Sequence, residues 1–394
     1  MIYALQTADP KARVLVTVPT HNAVDNMMRR YIQRLQKQPF ARKTQPDLVI
    51  VSTEVQKVVD DLRKYTCNAM AGQEIHSDYK ALKKATEMAK RSDTIFTTCI
   101  GAGIRLNCSE FFDIVTVDEA SQQTEPSSLV PLVNGCSQAI LVGDHVQLRP
   151  TVNQTALALD FDISLFERLY TKVKHSKGNG GLRALVLDTQ YRMHPKLCEF
   201  SSGQFYEERL ESGISSSARS PIRSNFSFPP ARVTKQRRGP GTIDYERAIF
   251  INCDAKEMPG QKSKENREPE SPSHSIVVLT PYTPQVEVLK RMLSSISYRI
   301  EVSSIDGFQG READVIVFVT VRYNEHREIG FLKDMRRMNV ALTQARSALL
   351  VVGSRVTLTE GTADEESASM WRRLLGSLTE VKLEVPVKGS VKKG

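Results

Sequence analysis

Two adjacent carboxylates, Asp118 and Glu119, are the residues of this sequence best placed to do chemistry. They follow the β-branched apolar run at 115–117, which is typical of a buried strand in a parallel sheet. Ligands of open α/β sheets bind outside the carboxyl ends of the strands, so both carboxylates are expected at a strand tip facing a cleft. One can hold Mg²⁺ while the other orients or deprotonates water. The alternative is a strand end that simply meets solvent.

Other predicted strands surround this pair. Apolar runs at 14–18, 48–52, 94–98 and 139–142 alternate with segments of helical spacing, which predicts a parallel sheet with crossover connections. Two charged helices are expected to fill a helical insertion at about 54–92. A glycine-containing linker at 172–182 precedes a second α/β block, with strands at 184–187, 276–279, 315–321 and 349–352 and a last helix at 370–375. The predicted fold class is therefore α/β, with two parallel-sheet domains in tandem.

The bulk composition narrows the class of protein and of partner. The chain has 394 residues and a net charge of +9, which suggests two or three domains and favours a polyanionic partner. Its six cysteines are scattered without a Cys-x-x-Cys pair, which indicates reduced intracellular thiols rather than disulfides or a zinc site. No apolar run is long enough to span a bilayer, and the first residues lack a signal-peptide pattern. We therefore expect an intracellular protein, in the cytoplasm or the nucleus, without a membrane partner.

Polar clusters recur in a fixed order along both halves, mostly at the ends of predicted strands. They lie at 19–25 (PTHNAVD), 118–122 (DEASQ), 143–150 (GDHVQLRP), 190–195 (QYRMHP), 280–282 (TPY), 306–312 (DGFQGRE) and 336–346 (RRMNVALTQAR). In this order they resemble the motor motifs of a superfamily-one helicase. The similarity is greatest to the Upf-like branch, which includes the nonsense-mediated-decay RNA helicase and senataxin, and it covers roughly residues 12–376.

The resemblance implies two RecA-like domains with a nucleotide cleft between them. The first would occupy residues 1–175 and the second residues 176–379, followed by a basic tail at 380–394. Within the second domain, the Ser-, Pro- and Arg-rich stretch at about 211–240 is expected to be a loop or disordered insert. The region at 252–275 is shortened against the family pattern, since Pro269 and Pro272 exclude the long helix usual there.

The resemblance also implies a site for ATP and Mg²⁺. Asp118 would hold Mg²⁺, Glu119 would activate the attacking water, and Gln147 would sense the γ-phosphate. Arg192 would act as an arginine finger; taken alone it would fit a surface salt bridge better, but its place in the 190–195 motif favours the finger. Tyr191 could stack on the adenine. Two further residues would be catalytic, Glu312 and Arg346. The remaining candidates would bind the nucleotide: Gly143, Asp144, Gly310 and Gln344.

A second set of motifs matches the residues with which this family contacts a nucleic-acid strand. Short hydroxyl and amide side chains, together with backbone N–H groups, grip phosphates without reading bases. Binding of single-stranded RNA or DNA would then be salt-sensitive and largely independent of sequence, and the Upf-like resemblance favours RNA. These residues could at the same time be helix caps and turns. They are Pro19, Thr20, Asn22, Thr98, Gly101, Thr280, Pro281 and Tyr282.

Two departures from the family pattern bear on activity. The phosphate-cradling Gly-x-x-x-x-Gly-Lys-Ser/Thr segment does not occur, and the sequence contains no Gly-Lys dipeptide. The family has this segment just before a helix that residues 1–6 resemble, so we expect the chain to begin directly after it. Gln344 stands where the family usually has a second finger arginine, whose loss can cost ~10³-fold in rate.

These observations support two functional hypotheses. The first is an ATP-dependent helicase or translocase on single-stranded nucleic acid. The second is a catalytically impaired helicase-like binding module, or a truncated fragment of a longer enzyme. Protein partners, translocation polarity and oligomeric state do not follow from the sequence.

Overall fold

The computed structural model forms two compact units, Met1–Ala184 and Leu185–Gly394. Each is an α/β unit built on a parallel sheet, which confirms the predicted fold class. The boundary lies nine residues after the one predicted. The structure describes residues 1–37, 46–52, 54–71, 78–104, 110–175, 181–219, 247–253, 275–294, 300–321, 329–360 and 364–382.

The described residues of unit 1 form a five-stranded sheet in the order β2-β3-β1-β4-β5, with all strands parallel. The runs predicted at 14–18 and 94–98 form strands with those bounds, because each is an uninterrupted segment made mostly of β-branched and aromatic residues. Strand β5 is an edge strand, paired only with β4 among the described residues. The strands are β1 (Val14–Val18), β2 (Leu48–Ile50), β3 (Thr94–Thr98), β4 (Phe112–Val117) and β5 (Cys136–Leu141).

Helices cover both faces of this sheet. Alternate residues of a strand point to opposite faces, so Val14 and Val16 pack against Met28 on one face, whereas Leu15 packs with Ala85 on the other. All five side chains are almost fully buried. The helices are α1 (Ile2–Ala8), α2 (His21–Lys37), α3 (Cys67–Ala71), α4 (Tyr79–Arg91), α5 (Glu125–Leu129), α6 (Gln154–Leu157) and α7 (Leu165–His175).

Unit 2 contains a six-stranded parallel sheet in the order β10-β9-β11-β12-β8-β13, together with a two-stranded β6-β7 pair, within the described ranges. Its long central strand carries the run Ala348–Val351, which is buried throughout. The strands are β6 (Thr189–Gln190), β7 (Glu211–Ser212), β8 (Ala248–Asn252), β9 (Ile276–Thr280), β10 (Ile300–Ser304), β11 (Ala313–Val319), β12 (Ala345–Gly353) and β13 (Thr379–Lys382).

The helices of unit 2 pack against this sheet and against each other. Val286 of one helix packs with Val278 and Val302 of the two strands beneath it. Trp371, the only tryptophan of the sequence, is fully buried, and its indole Nε1 donates a 3.2 Å hydrogen bond to the Leu332 carbonyl. The helices are α8 (Pro195–Phe205), α9 (Thr283–Leu293), α10 (Ile305–Phe308), α11 (Met335–Thr343), α12 (Arg355–Glu360) and α13 (Glu365–Ser377).

Several local predictions differ from the structure. Two helices were expected to fill the segment at 54–92; in its described residues α3 and α4 cover only part of it, because residues 55–57 and 63–65 form single 3₁₀ turns. Residues 184–187 form no strand; Leu185 and Leu187 are 91% and 87% exposed, since these side chains have no sheet to enter. The predicted tail at 380–394 starts too early, because β13 continues to Lys382 in parallel pairing with β8.

Other predicted segments fall partly or wholly outside the described residues. The insert at 211–240 is described only as far as Arg219, and it begins with β7 and a 3₁₀ turn at 216–218. The shortened region at 252–275, including both of its prolines at 269 and 272, lies outside the described residues except at its two ends. The same holds for the tail after Lys382 and for residues 176–180 of the predicted linker at 172–182, whose first four residues belong instead to α7.

Candidate functional site

The carboxyl ends of four neighbouring strands bring the candidate residues of unit 1 to one edge of its sheet. Val18 at the end of β1 is in register with Thr98 at the end of β3, and Thr17 is in register with Val117 of β4. Val117 is in turn in register with Leu141 at the end of β5. The predicted nucleic-acid residues after β1 and β3 therefore lie beside the predicted nucleotide residues after β4 and β5.

The two adjacent carboxylates stand at the tip of β4, as predicted. The backbone N–H of Asp118 donates a 2.9 Å hydrogen bond to the Thr17 carbonyl, which extends the pairing with β1. Glu119 has left-handed backbone angles, φ 50° and ψ 39°, that turn the chain sharply at this point. The Glu119 carboxylate accepts a hydrogen bond from the Gln122 side-chain amide. The strand end thus positions two carboxyl groups in different surroundings.

Burial raises the pKa of the Asp118 carboxyl above its usual value. A hydrogen bond from the Glu119 backbone and the positive charge of Arg30, on α2, act in the opposite direction but do not cancel the effect. A cation bound at Asp118 would replace the lost hydration and favour the ionised carboxylate. An additional positive charge beside Asp118 would therefore be electrostatically favourable.

Gly143, Asp144 and Gln147 form a turn that packs directly on the β4 tip. A Cβ at position 143 would come within 2.9 Å of the Ser121 backbone nitrogen, so only glycine allows this approach. The Asp144 N–H donates a 3.2 Å hydrogen bond to the Ser121 hydroxyl, and the Gln147 N–H donates one of 3.2 Å to the Asp144 carbonyl. The turn therefore places Asp144 and Gln147 next to the two carboxylates.

This arrangement fits a magnesium ion bound mainly through its nucleotide. Proteins commonly hold Mg²⁺ through one or two carboxylates plus substrate phosphates rather than through a full protein cage. Among the described residues, no group of three or more His, Cys, Asp or Glu side chains could form such a cage. Asp118 is the residue that would hold the ion, with Glu119 beside it.

The nucleic-acid candidates of unit 1 combine exposure with local capping. The Thr20 hydroxyl accepts a 3.3 Å hydrogen bond from the Ala23 N–H at the start of α2, and the Thr98 hydroxyl accepts one of 3.0 Å from the Gly101 N–H. Thr20 therefore also caps a helix and Thr98 also holds a turn, which was the structural alternative. Thr20 and Asn22 are exposed, whereas Gly101 is buried. Pro19 lies between β1 and α2 and is half-buried.

In unit 2, residues from two distant parts of the chain meet around the Arg192 guanidinium. Its Nε donates a 3.0 Å hydrogen bond to Glu312 Oε2, and its Nη1 donates one of 2.9 Å to Gln344 Oε1. The Thr343 carbonyl accepts a further hydrogen bond of 3.1 Å from Nη1. The Gln344 side chain is 1% exposed, whereas those of Arg192 and Glu312 are about one-third exposed. The structure thus joins these predicted site residues and holds the guanidinium at the surface.

Glu312 also links Arg192 to Arg346. The Arg346 Nε lies 3.8 Å from Glu312 Oε1 and 3.7 Å from Asp314 Oδ1. Two residues before Glu312, the predicted Gly310 has φ +72°, a left-handed conformation that favours glycine. All the second-unit candidates of the nucleotide site other than Tyr191 are therefore accounted for in this cluster or in the loop that leads into it.

Tyr191 is 65% exposed and lies against Gly213. A Cβ at position 213 would overlap the tyrosine ring, so a glycine is needed there for the ring to pack against the backbone. The Gln190 side chain holds the turn, because its Oε1 accepts hydrogen bonds of 2.9 and 2.7 Å from the N–H groups of Arg192 and Met193. An exposed ring on a fixed turn is suited to stacking on a planar ligand.

The last three nucleic-acid candidates follow β9. Thr280 is fully buried, and its hydroxyl makes no hydrogen bond within the described part of the chain. Its side chain is therefore not presented to a strand on the surface, unlike what the motif implied. Pro281 and Tyr282 are half-buried, and Tyr282 precedes the first residue of α9.

Several residues of these clusters carried no sequence signal of their own. Arg30 acts on Asp118 from a helix 88 residues earlier in the chain, which only the fold reveals. The Arg219 guanidinium donates hydrogen bonds of 2.9 Å to the Arg192 carbonyl and 2.6 Å to the Tyr191 carbonyl. Its position at the start of an arginine-rich stretch indicated only general positive charge.

Comparison with known proteins agrees with the motif order. One AAA-domain family model matches residues 161–356 and a second matches residues 70–155. The Drosophila melanogaster regulator of nonsense transcripts 1 homolog is 37% identical over 333 residues, which is 79% of this chain and 26% of that protein. The Saccharomyces cerevisiae ATP-dependent helicase NAM7 is 34% identical, over 74% of this chain and 30% of that protein.

One further curated relative extends the match along the chain. The probable helicase MAGATAMA 3 of Arabidopsis thaliana is 31% identical, over 93% of this chain and 46% of that protein. A solved structure of the PRRSV helicase aligns with 89% of this chain and 49% of its own, at 14% identity and a TM-score of 0.41. The chain thus spans between about a quarter and a half of the curated relatives that it matches. On its motifs, its family models and its relatives, the chain belongs to the Upf-like branch of the superfamily-one helicases.

Proposed function

We propose that this chain is the motor region of an ATP-dependent helicase or translocase that acts on single-stranded nucleic acid, with RNA preferred. One observation carries the proposal. The strand tips of unit 1 place the Asp118–Glu119 pair on the same sheet edge as Thr20, Asn22 and Thr98. A ligand-dependent movement at one tip can thereby reach the neighbouring tip, which a motor requires.

The residues of unit 1 would prepare the phosphoryl transfer. Asp118 would hold Mg²⁺, whose charge offsets that of the phosphates. Glu119, at the left-handed turn beyond it, would orient and deprotonate the attacking water. Gln147, in the turn packed on the β4 tip, would donate a hydrogen bond to the terminal phosphate. These three residues would together bind the ion, activate the water and contact the terminal phosphate.

Unit 2 would supply the positive charge that the reaction requires. Arg192 is already held by Glu312 and Gln344, so little conformational entropy would be lost when it meets a phosphate. Tyr191, whose ring packs against Gly213, would stack on the adenine. Arg346, whose Nε lies 3.8 Å from Glu312 Oε1, would help to position Glu312 beside Arg192.

The nucleic-acid preference rests on charge and on the relatives. A net charge of +9 favours a polyanion, and contacts through hydroxyl groups and backbone amides do not read base sequence. Two of the similar proteins are named as regulators of nonsense transcripts, which supports RNA over DNA. Five described cysteines are free thiols: Cys67, Cys99, Cys136, Cys198 and Cys253. Free thiols are usual in the reducing cytoplasm and nucleus, and we place this protein in one of these compartments.

A second candidate function is a clamp that binds nucleic acid without hydrolysing ATP. Two observations favour it. The sequence contains no Gly-Lys dipeptide, so it has no phosphate-cradling lysine of the usual motif. Gln344 carries no charge where the family has an arginine. Both features weaken nucleotide turnover and leave the nucleic-acid contacts untouched.

The Glu119→Gln variant separates the two candidates. The amide keeps the size of the side chain but cannot take a proton from water. For a motor, the variant should lose RNA-stimulated ATP hydrolysis at least 100-fold and still bind labelled single-stranded RNA as the unaltered chain does. Glu125→Gln is a control carboxylate nearby, since it pairs with Arg168 outside the strand tips. RNA binding without any hydrolysis by the unaltered chain would instead support the clamp.

A further inference from the structure

Phe331 is an exposed aromatic residue on a firmly held segment of unit 2. It lies in the 3₁₀ helix Gly330–Lys333, and 52% of the residue is exposed. Its apolar neighbours Ile329 and Leu332 are fully buried. The Leu332 carbonyl accepts the hydrogen bond from Trp371, which anchors the segment to α13. The fold therefore buries the residues around Phe331 and leaves the largest apolar side chain of the segment in water.

The Phe331 ring is held from two sides. Its centroid lies 5.6 Å from that of Tyr282, with the two rings tilted by 51°. The Arg337 guanidinium lies 5.0 Å from the Phe331 centroid, within the range of a cation–π interaction. Asp306 fixes that guanidinium through hydrogen bonds of 3.0 and 3.2 Å. The ring is thus oriented before any ligand arrives.

This cluster lies at the carboxyl edge of the second sheet. Tyr282 comes two residues after the end of β9, and Asp306 comes two residues after the end of β10, which pairs with β9 in parallel. Pro281, a candidate nucleic-acid residue, is next to Tyr282 in the chain. An oriented, exposed ring beside a candidate phosphate contact has the two parts from which single-strand binding sites are built.

We propose that Phe331 stacks on a base of single-stranded nucleic acid, with Tyr282 and Arg337 as its supporting residues. This inference rests on the proposed function and adds a specific base contact to it. Every base has a π face, so the contact tolerates any sequence, in keeping with phosphate contacts that do not read bases. Arg337 is already paired with Asp306 and Asp334, so its charge orients the ring rather than binding a phosphate.

The test measures binding of a fluorescein-labelled dodecamer of uridine to the full chain by fluorescence anisotropy. Stacking contributes about 1–3 kcal/mol per base, so Phe331→Ala should raise the Kd on the order of tenfold. Phe331→Leu keeps an apolar side chain without a π face and should weaken binding nearly as much. Phe331→Trp should retain or improve the affinity. Because no charge changes, the slope of log Kd against log salt concentration should stay the same in all three variants.

Phe111→Ala is the matched control. Phe111 has the same residue type and the same exposed fraction of 52%, but it directly precedes β4 and so lies at the amino end of its strand. Its replacement should leave the Kd unchanged. The fluorescence of Trp371 reports whether the segment of Phe331 is still packed in the alanine and leucine variants.

Three outcomes would contradict the proposal. Equal affinity of Phe331→Ala and the unaltered chain would overturn the stacking contact and leave the proposed function standing. Full affinity of Phe331→Leu would show an apolar contact instead of stacking. Failure of the unaltered chain to bind either this RNA or the corresponding DNA would overturn the proposed function and the stacking contact together.

Discussion

The Nη1 atom of Arg192 lies 2.9 Å from the side-chain oxygen of Gln344. Glutamine at this position therefore receives a hydrogen bond from the guanidinium, whereas an arginine would place two like charges side by side. Glu312 is the one carboxylate within 4 Å of Arg192 in the described part of the chain. The departure from the family pattern at 344 thus creates a neutral acceptor that holds Arg192 in place within unit 2.

We expect this contact to be measurable as a coupling free energy. A hydrogen bond to a charged group contributes about 1.5–3 kcal/mol when buried, and Arg192 is one-third exposed, so the coupling should be about 1 kcal/mol. A double-mutant cycle measures it: the free energy of unfolding in urea is compared among the unaltered chain, Arg192→Ala, Gln344→Ala and the double variant. Gln344→Glu, which keeps an acceptor, should retain or strengthen the coupling. Strictly additive losses would show that the two side chains do not interact.

Asp118→Asn should stabilise the protein at neutral pH in the absence of Mg²⁺ and nucleotide. Burial raises the pKa of Asp118, so the folded state binds this proton more tightly than the unfolded state does. The carboxylate therefore costs stability increasingly as the pH rises from 3.8 through the folded pKa, and the full cost is present above it. Asparagine does not titrate, and we expect a rise in Tm of about 2 °C at pH 7.5.

The pH dependence distinguishes this effect from a general change in packing. The gain in Tm should shrink as the pH falls through the folded pKa of Asp118 towards 3.8, because the protonated carboxyl no longer carries a buried charge. Asp60→Asn is the control, since the side chain of Asp60 is 88% exposed and should give no comparable gain. A gain of equal size at all pH values would attribute the effect to something other than ionisation.

The strand tips were predictable from sequence, whereas the contacts among them were not. Strands β1 and β3 consist mostly of β-branched and aromatic residues; Pro19 directly follows β1 and Gly101 comes three residues after the end of β3, so the strand ends were clear. The edge strands β10 and β13 alternate apolar with polar residues over only four or five positions, which is too weak a pattern to predict a strand. Residues 184–187 show the opposite error, since an apolar run forms a strand only where a neighbour pairs with it.

The Arg192 cluster shows why part of the site needed the structure. Glu312 and Gln344 lie 120 and 152 residues from Arg192 in the chain. They directly precede the paired strands β11 and β12, and the folded chain brings the turn of Arg192, which is not part of that sheet, within hydrogen-bond distance of both. The family resemblance assigned these three residues to one site but gave no pairing among them. It also gave no sign of Arg219, because the interaction uses backbone carbonyls that any residue type would supply.

Gly143→Ala should destabilise unit 1 by about 1–3 kcal/mol. The new Cβ would meet the backbone nitrogen of Ser121 at 2.9 Å, and backbone cannot rotate away as a side chain can. The β5 turn would have to separate from the β4 tip, so Asp144 and Gln147 would move away from Asp118. Urea unfolding gives the stability of the variant.

Gly203→Ala provides the matched glycine replacement. Gly203 lies inside α8, and a Cβ there would meet nothing within 4 Å, so alanine should add about 0.5–1 kcal/mol of stability. Gly143→Ala should therefore lower the free energy of unfolding, whereas Gly203→Ala should raise it, because only position 143 lies close to another part of the backbone. A neutral Gly143→Ala would mean that the two strand tips are not in contact.

Arg219→Ala should loosen the turn that carries Tyr191 and Arg192. Arg219 donates to both of their carbonyls, while the N–H of Arg192 donates to Gln190 at 2.9 Å. Loss of the two charge-assisted hydrogen bonds should speed amide exchange of the 190–193 segment about tenfold, which mass spectrometry after proteolysis can follow. Arg219→Lys should give an intermediate rate, because an ammonium lacks the planar fork that reaches both carbonyls. Arg209→Ala is the control, since Arg209 pairs with Glu207 at 3.8 Å, and unchanged exchange in Arg219→Ala would remove Arg219 from the support of this turn.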